Sequence, residues 1–135
     1  MTPELTALAI AALWQVVMVG AAGAVMNREL GPAFNAGPRD RMPEPSPLLG
    51  RLRRAVNNHV ENLGLFTIAV VVVTLSGKAG GFTAASAWVF VAARVLYLPA
   101  YAFGWSPWRS VIWMVGLLAT LAMIFAALFG SAAAA

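Results

Sequence analysis

The sequence contains no cysteine, a single histidine and only five acidic residues among its 135 residues. Without cysteine the chain can form no disulfide and no thiolate metal site, and it has no thiol nucleophile of its own. One histidine with five scattered acids also argues against a classical metal site and against a serine–histidine–aspartate triad. Activities that require a thiol of the protein itself are therefore excluded, and we expect no bound metal.

Charge is scarce as well: 10% of the residues are charged, 61% are hydrophobic, and the mean hydropathy is +0.79. These values lie outside the usual range of soluble domains and indicate one small all-α integral membrane domain. The net charge of +4 invites comparison with nucleic-acid-binding proteins, yet six of the nine basic residues lie between Arg28 and Arg54, beside hydrophobic segments. That placement fits a membrane surface, so lipids and not nucleic acid are the predicted partners.

Hydropathy predicts four membrane-spanning helices. The first is long enough to cross a hydrocarbon core of about 30 Å, and because only Glu4 and no positive charge precedes it, we predict a retained span and not a cleaved signal peptide. The apolar part of the second, 63–75, is short, but Ser46 and Pro47 form a good N-cap and first turn from which a longer helix can start. Ser106 and Pro107 form a similar pair before the fourth. The predicted spans are 5–26, 55–75, 82–103 and 109–129, making a four-helix bundle.

The connections predict the orientation. The first connection and the start of the second helix carry six arginines, whereas the second connection carries only Lys78. The positive-inside rule therefore places the N- and C-termini on the non-cytoplasmic side. The segment NRELGPAFNAGPRDRMPEPSP, residues 27–47, is rich in Pro and Gly, and we predict an irregular cytoplasmic loop there.

Polar residues are concentrated at the predicted cytoplasmic ends of all four helices. Arg54, Asn58 and Glu61 share one helical face, and Arg94, Tyr97 and Tyr101 share another, by their spacing of three and four residues. A charge facing lipid costs about 2.5–3.5 kcal/mol, so these groups should face the bundle interior or a water-filled cavity. Arg28 and Arg109 are predicted at the same depth.

Two interpretations of these polar residues remain open. In both, we expect Arg51 and Arg53 to extend to lipid phosphates. In the structural interpretation, Glu61 neutralises Arg94 between helices and Asn58 forms a hydrogen bond across the packed interface. The structural interpretation leaves Arg28, Arg54 and Arg109 as surplus positive charges at the same membrane depth. Several arginines with one glutamate suit instead a ligand that carries several anionic groups and one cationic group, because guanidinium groups bind carboxylates and a carboxylate binds an ammonium.

These same residues resemble the MAPEG family, the membrane-associated proteins of eicosanoid and glutathione metabolism. Arg54, Ala55, Asn58 and Glu61 match the family's RAxxNxxE signature in the second helix. The third-helix arginine and tyrosines resemble the motif of the leukotriene-forming members, and PWRSVIW, residues 107–113, resembles the fourth-helix start of the prostaglandin-forming members. The overall pattern is most similar to the bacterial branch, which implies a bacterial inner membrane.

The resemblance implies a homotrimer that binds glutathione between adjacent subunits near the cytoplasmic side. Arg109 would lie beside the glutathione sulfur and favour the reactive thiolate over the thiol. The resemblance thus implies a transferase or peroxidase that acts on lipophilic electrophiles. The remaining residues expected to bind glutathione are Arg28, Arg54, Asn58, Glu61, Arg94, Tyr97, Tyr101, Ser110 and Trp113.

Two alternatives to catalysis are consistent with the sequence. The family also includes a noncatalytic branch, which permits a lipid-binding or scaffold membrane protein. Charged residues within membrane segments also occur in small channels and transporters. Against a channel, the charges lie toward one side of the predicted membrane and do not continue toward Lys78.

Overall fold

A computed structural model describes residues 1–132 and shows an all-α fold in that part of the chain. Four helices are long and apolar enough to cross a membrane, and a fifth is a short connecting helix. The prediction of four long apolar helices is confirmed. Their bounds are α1 Pro3–Leu30, α2 Pro32–Ala36, α3 Pro47–Leu75, α4 Gly81–Ala102 and α5 Trp108–Phe129.

The start of α3 follows the predicted capping pattern. The Ser46 hydroxyl accepts a hydrogen bond from the backbone N–H of Leu49 at 3.1 Å, and Pro47 occupies the first helical position. The side chain thus satisfies one of the N–H groups that a helix start leaves without a partner, while proline has no N–H to satisfy. The analogous prediction for α5 is wrong: Pro107 occupies the N-cap position and no side chain caps the helix, because Ser106 lies one residue too early.

The connection between α1 and α3 is more ordered than predicted. Helix α1 continues beyond the predicted end of the span to Leu30, and Gly31, with a φ of +88°, separates it from α2. Glycine takes up this left-handed backbone at low cost. The prediction of an irregular loop over residues 27–47 is therefore wrong for its first ten residues, 27–36, all of which except Gly31 are helical.

The spanning helices run alternately up and down. Helices α3 and α4 lie at the centre and each contacts the other three spanning helices, whereas α1 and α5 do not pack against each other within residues 1–132. One end of the bundle holds the α1–α3 and α4–α5 connections. We call it the arginine-rich end, because every arginine except Arg94 lies at or near it: Arg28, Arg39, Arg41, Arg51, Arg53, Arg54 and Arg109.

Apolar packing dominates the half of the bundle away from the arginine-rich end. Phe66 of α3 and Phe90 of α4 are fully buried and stack with ring centroids 3.9 Å apart, and Met123 of α5 joins the same cluster. Aromatic pairs of this kind contribute about 0.5–1.5 kcal/mol beyond the burial of their area. The outer faces carry exposed apolar side chains such as Leu13 and Leu118, which suit contact with lipid tails.

Polar contacts join the helix ends at the opposite end of the bundle. Glu4 in the first turn of α1 is buried and accepts a hydrogen bond from the Thr83 hydroxyl of α4. Lys78 donates from Nζ to the carbonyl of Ala127, 2.7 Å away, in the last turn of α5. A cation is favourable there because the last carbonyls of a helix carry partial negative charge. These contacts join the start of α1 to the start of α4, and the α3–α4 connection to the end of α5.

Candidate ligand-binding site

A cavity of about 200 Å³ opens at the arginine-rich end, between the start of α3 and the turn that joins α4 to α5. Gly104 in this turn has a left-handed φ of +66°, a conformation that favours glycine. The turn brings the end of α4 and the start of α5 to the same side of α3. The cavity lining contains three arginines and no acidic residue: Arg51, Arg54, Tyr101, Gly104, Trp105, Ser106 and Arg109.

Tyr101 lies between two of these arginines. Arg54 donates from Nε to the Tyr101 hydroxyl oxygen at 3.0 Å, and the centre of the Arg109 guanidinium lies 4.8 Å from the centroid of the Tyr101 ring. The face of the Tyr101 ring thus attracts the Arg109 guanidinium. The Tyr101 hydroxyl accepts the hydrogen bond from Arg54. Guanidinium groups from two helices therefore meet at one tyrosine from a third. Because the cavity lining contains no acidic residue, an anion bound in the cavity would neutralise the positive charge of its arginines.

Arg51 is a cavity residue that the sequence reasoning missed. We predicted that it extends to lipid phosphates, but its Nη1 donates to the backbone carbonyl of Ala102 at 3.2 Å, at the end of α4. A side chain added at Gly104 would come within 3.7 Å of the same guanidinium. The signal that could have identified Arg51 is its spacing of three residues from Arg54, which places both on one face of α3.

Arg94 lies inside the protomer and not in the cavity. Its side chain is 2% exposed, it donates from Nε to Nδ1 of His59 at 3.2 Å, and its guanidinium lies 4.4 Å from the Tyr97 ring centroid. A guanidinium only donates, so Nδ1 must accept and Nε2 of His59 carries the hydrogen that is donated to the Ala11 carbonyl, 3.1 Å away. Arg94 thus bonds to His59 and not to Glu61, and the network joins α1, α3 and α4.

Tyr97 connects this buried network to the cavity. It is 1% exposed, and its ring meets that of Tyr101 edge to face with centroids 5.6 Å apart. Arg94, Tyr97, Tyr101 and Arg109 therefore form a continuous row of alternating cation–ring and ring–ring contacts. The predicted common face of Arg94, Tyr97 and Tyr101 is realised, with one end buried and the other open.

Three further predicted site residues also lie outside the cavity of the single protomer. Glu61, midway along α3, is exposed on the outer surface of the bundle, and so is Arg28 at the end of α1. Asn58 is half-buried and accepts hydrogen bonds from the Asn62 amide. None of the three lines the cavity around Tyr101. A carboxylate exposed at this position would face lipid, which costs considerable free energy. We therefore expect another group to cover Glu61.

The two remaining predicted residues lie on the first turns of α5. Ser110 follows Arg109 and is exposed. Trp113 is half-buried and packs against a small cluster of Met18, Ala55 and Tyr97. Its indole nitrogen is buried and has no hydrogen-bond partner within residues 1–132.

A comparison with protein-family models matches residues 5–129 to the model described as the MAPEG family. The chain belongs to the MAPEG family. The resemblance inferred from the motifs is thereby confirmed, and with four long apolar helices the protein is an integral membrane protein. No curated protein and no solved structure matches the chain.

Membership of the MAPEG family supports a membrane function in glutathione or eicosanoid metabolism in general. Proteins of this family generally use glutathione and are generally trimeric. The arginine-lined cavity around Tyr101 contains three of the motif residues, Arg54, Tyr101 and Arg109, each on a different helix. This cavity is therefore the candidate active site of the protein.

Proposed function

We propose that this MAPEG protein is a glutathione-dependent transferase or peroxidase that acts on lipophilic electrophiles dissolved in the membrane. The observation that carries the proposal is the convergence of Arg54 and Arg109 on Tyr101 in a cavity that has no acidic lining. Glutathione has two carboxylates, one ammonium and one thiol, and guanidinium groups are well suited to bind such carboxylates.

A complete glutathione site in this proposal requires a second copy of the chain. Arg54 and Tyr101 line the cavity of one protomer, whereas Arg28 and Glu61 are exposed on the outer surface of the bundle. We propose a homotrimer in which such exposed groups complete the cavity of a neighbour. Glu61 would then bind the glutathione ammonium and Arg28 a carboxylate, so that the carboxylate of Glu61 no longer faces lipid.

In the proposed site, Arg109 lies next to the sulfur. A guanidinium favours the thiolate over the thiol electrostatically, and the released proton passes to water. In the transferase reaction the sulfur forms a bond to an electrophilic carbon, and the leaving group departs with its electron pair. In the peroxidase reaction two glutathione molecules reduce one hydroperoxide to an alcohol and water and are oxidised to a disulfide. Neither reaction requires a covalent bond to the protein.

We assign the other predicted residues to supporting roles. Asn58 and Ser110 would contact glutathione through their polar atoms, Tyr101 would orient it from the cavity wall, and Trp113, whose indole nitrogen is buried, would support the site by packing against Tyr97. Arg94 is too deeply buried to reach a ligand in this cavity, so its proposed role is to position Tyr97. Tyr97 in turn packs against Tyr101.

The test is calorimetric titration of glutathione into the purified protein, followed by turnover measurements with a chlorinated aromatic compound or a lipid hydroperoxide. We expect saturable binding to the wild type and strongly reduced turnover in Arg109→Ala. Arg41→Ala is the matched control, because Arg41 is an exposed arginine that does not line the cavity. Equal turnover in wild type and Arg109→Ala would remove Arg109 from the mechanism, and absence of glutathione binding would overturn the proposal.

A noncatalytic lipid-binding or scaffold protein is the second candidate. It is favoured by an apolar groove of about 340 Å³ between α4 and α5, away from the arginine-rich end, lined by residues that include Phe82, Val89 and Leu118. Such a groove suits an acyl chain. A protein that retains lipid in this groove and neither binds glutathione nor turns over any electrophile would favour this candidate.

A further inference from the structure

A second polar cavity, of about 270 Å³, lies between α1, α2 and α3. It shares no lining residue with the cavity around Tyr101, because successive residues on α3 point about 100° apart and Arg53 and Arg54 therefore face different neighbours. The lining contains two arginines, two asparagines and no acid: Val19, Ala22, Gly23, Met26, Asn35, Arg39, Arg53, Val56 and Asn57. We call it the loop cavity.

The rim of the loop cavity is held in place by the connection between α1 and α3. Arg39 donates from Nε to the backbone carbonyl of Asn35 at 2.8 Å and from Nη2 to its side-chain oxygen at 2.6 Å. The Asn35 amide donates in turn to the side-chain oxygen of Asn27 in α1 at 2.6 Å. A guanidinium has five N–H groups, so two of them fix the orientation of Arg39 while the others remain for a ligand.

The second arginine of the rim has only a weak protein partner. Arg53 contacts the sulfur of Met42 at 3.5 Å, and a thioether is a poor acceptor for a charged donor. Both rim arginines are exposed. The loop cavity therefore presents two cations with unused donors and no neutralising carboxylate in its lining, which is the arrangement that binds a phosphate.

The floor of the loop cavity is apolar and continues down the membrane-spanning part of α1. Val19, Ala22 and Met26 lie along one side of that helix, and Val56 faces them from α3. A Cβ placed on Gly23 would meet no atom within 4 Å, so no protein atom fills the space next to Gly23 on the cavity floor. An occupant with an anionic head and a hydrocarbon tail fits both parts of the cavity, whereas a free phosphate would leave the floor unfilled.

We propose that the loop cavity binds an anionic phospholipid, with its phosphate between Arg39 and Arg53 and an acyl chain along α1. The site lies where α1 and α3 leave their apolar segments, which is the depth of a lipid headgroup. This proposal does not depend on glutathione chemistry, since neither arginine belongs to the cavity around Tyr101.

The test uses the full-length protein in neutral detergent, titrated with short-chain phosphatidylglycerol, short-chain phosphatidylcholine and glycerol 3-phosphate. We expect phosphatidylglycerol to bind most tightly and glycerol 3-phosphate, which lacks the chains, at least tenfold more weakly. Because each substitution removes a charge-assisted hydrogen bond to the phosphate, Arg39→Gln and Arg53→Gln should each weaken phosphatidylglycerol binding at least about tenfold. Arg41→Gln, in the same connection but outside the loop cavity, should change it less than twofold.

Three outcomes would overturn the proposal. Equal losses in Arg41→Gln and Arg39→Gln would show a general attraction between the basic connection and anionic lipid. Equal binding of phosphatidylcholine and phosphatidylglycerol would show that the floor alone binds. A change of oligomer mass in the arginine variants without a change in lipid affinity would assign the cavity to contact between protomers. Titrating wild type at rising salt provides a readout without substitution, because a phosphate site must weaken as salt screens the arginines.

Discussion

Arg94 lies on α4 about two helical turns from Tyr101, where the exposed pair Arg54 and Arg109 meet, yet the fold treats these arginines differently. Arg94 is enclosed by α1, α3 and α4 and bonds to a neutral histidine. The other two arginines flank Tyr101 at an open cavity. The comparison teaches that burial, and not residue type or depth, separates an arginine that holds the bundle together from one that can meet a ligand.

The largest expected effect is that of Arg94→Ala on stability. The substitution leaves a void between three helices and removes the donor to His59 and the cation over the Tyr97 ring. We expect a loss of about 3–5 kcal/mol in the free energy of unfolding, the usual range for large-to-small core substitutions. Thermal or denaturant unfolding in detergent measures it. A stable Arg94→Ala protein that fails to bind glutathione would show that Arg94 is a ligand-contacting residue after all.

Arg109→Ala should affect turnover and leave stability almost unchanged. Removing one group that stabilises developing negative charge typically lowers the rate about 10²–10³-fold, whereas exposed substitutions usually change stability by less than about 0.5 kcal/mol. Steady-state kinetics with glutathione and a chlorinated aromatic compound, together with an unfolding curve, separate the two effects. Arg109→Lys serves as the conservative control. If Arg109→Ala destabilised the protein as much as Arg94→Ala, the distinction between the two regions would fail.

His59→Leu tests whether the buried network depends on its histidine. The leucine fills most of the space but cannot accept from Arg94, and a buried donor left without a partner costs about 1–3 kcal/mol. We expect a loss of stability in that range with glutathione affinity retained. His59→Gln, which keeps an acceptor, should recover part of the loss. Wild-type stability in His59→Leu would show that the contact contributes nothing.

The smallest expected effect is that of Tyr101→Phe. The ring remains in contact with Arg109, but Arg54 loses the hydroxyl that fixes its orientation. The loss of one such hydrogen bond is worth about 1 kcal/mol, which corresponds to roughly fivefold weaker glutathione binding. Calorimetry measures the change. An unaltered dissociation constant would show that the hydroxyl does not prepare Arg54 for the ligand.

Much of this arrangement could be predicted from the order of residues. Hydropathy locates the four spanning helices, and the Ser46–Pro47 pair locates the start of α3. A spacing of four residues places Tyr97 next to Tyr101, because the helical repeat brings such residues onto one face. These predictions succeed since they depend on contacts within a single helix.

Contacts between helices could not be predicted in the same way. Glu61 was the natural partner for Arg94 on charge alone, yet His59 occupies that place, because it is the His59 face of α3 that turns toward α1 and α4. Arg51 reaches the end of α4 only because the α4–α5 turn returns there. Helix α2 was not predicted, because the proline and glycine residues in and around it are typical of a loop.

Hydropathy and helical periodicity are local properties of the chain, so they are sufficient to predict a membrane protein of four spanning helices with every arginine except Arg94 at or near one end. Which arginines are buried and which line the two cavities depends on how the helices pack. Rotation of one helix about its axis relative to its neighbours sets that outcome, and the rotation results from packing all the helices together.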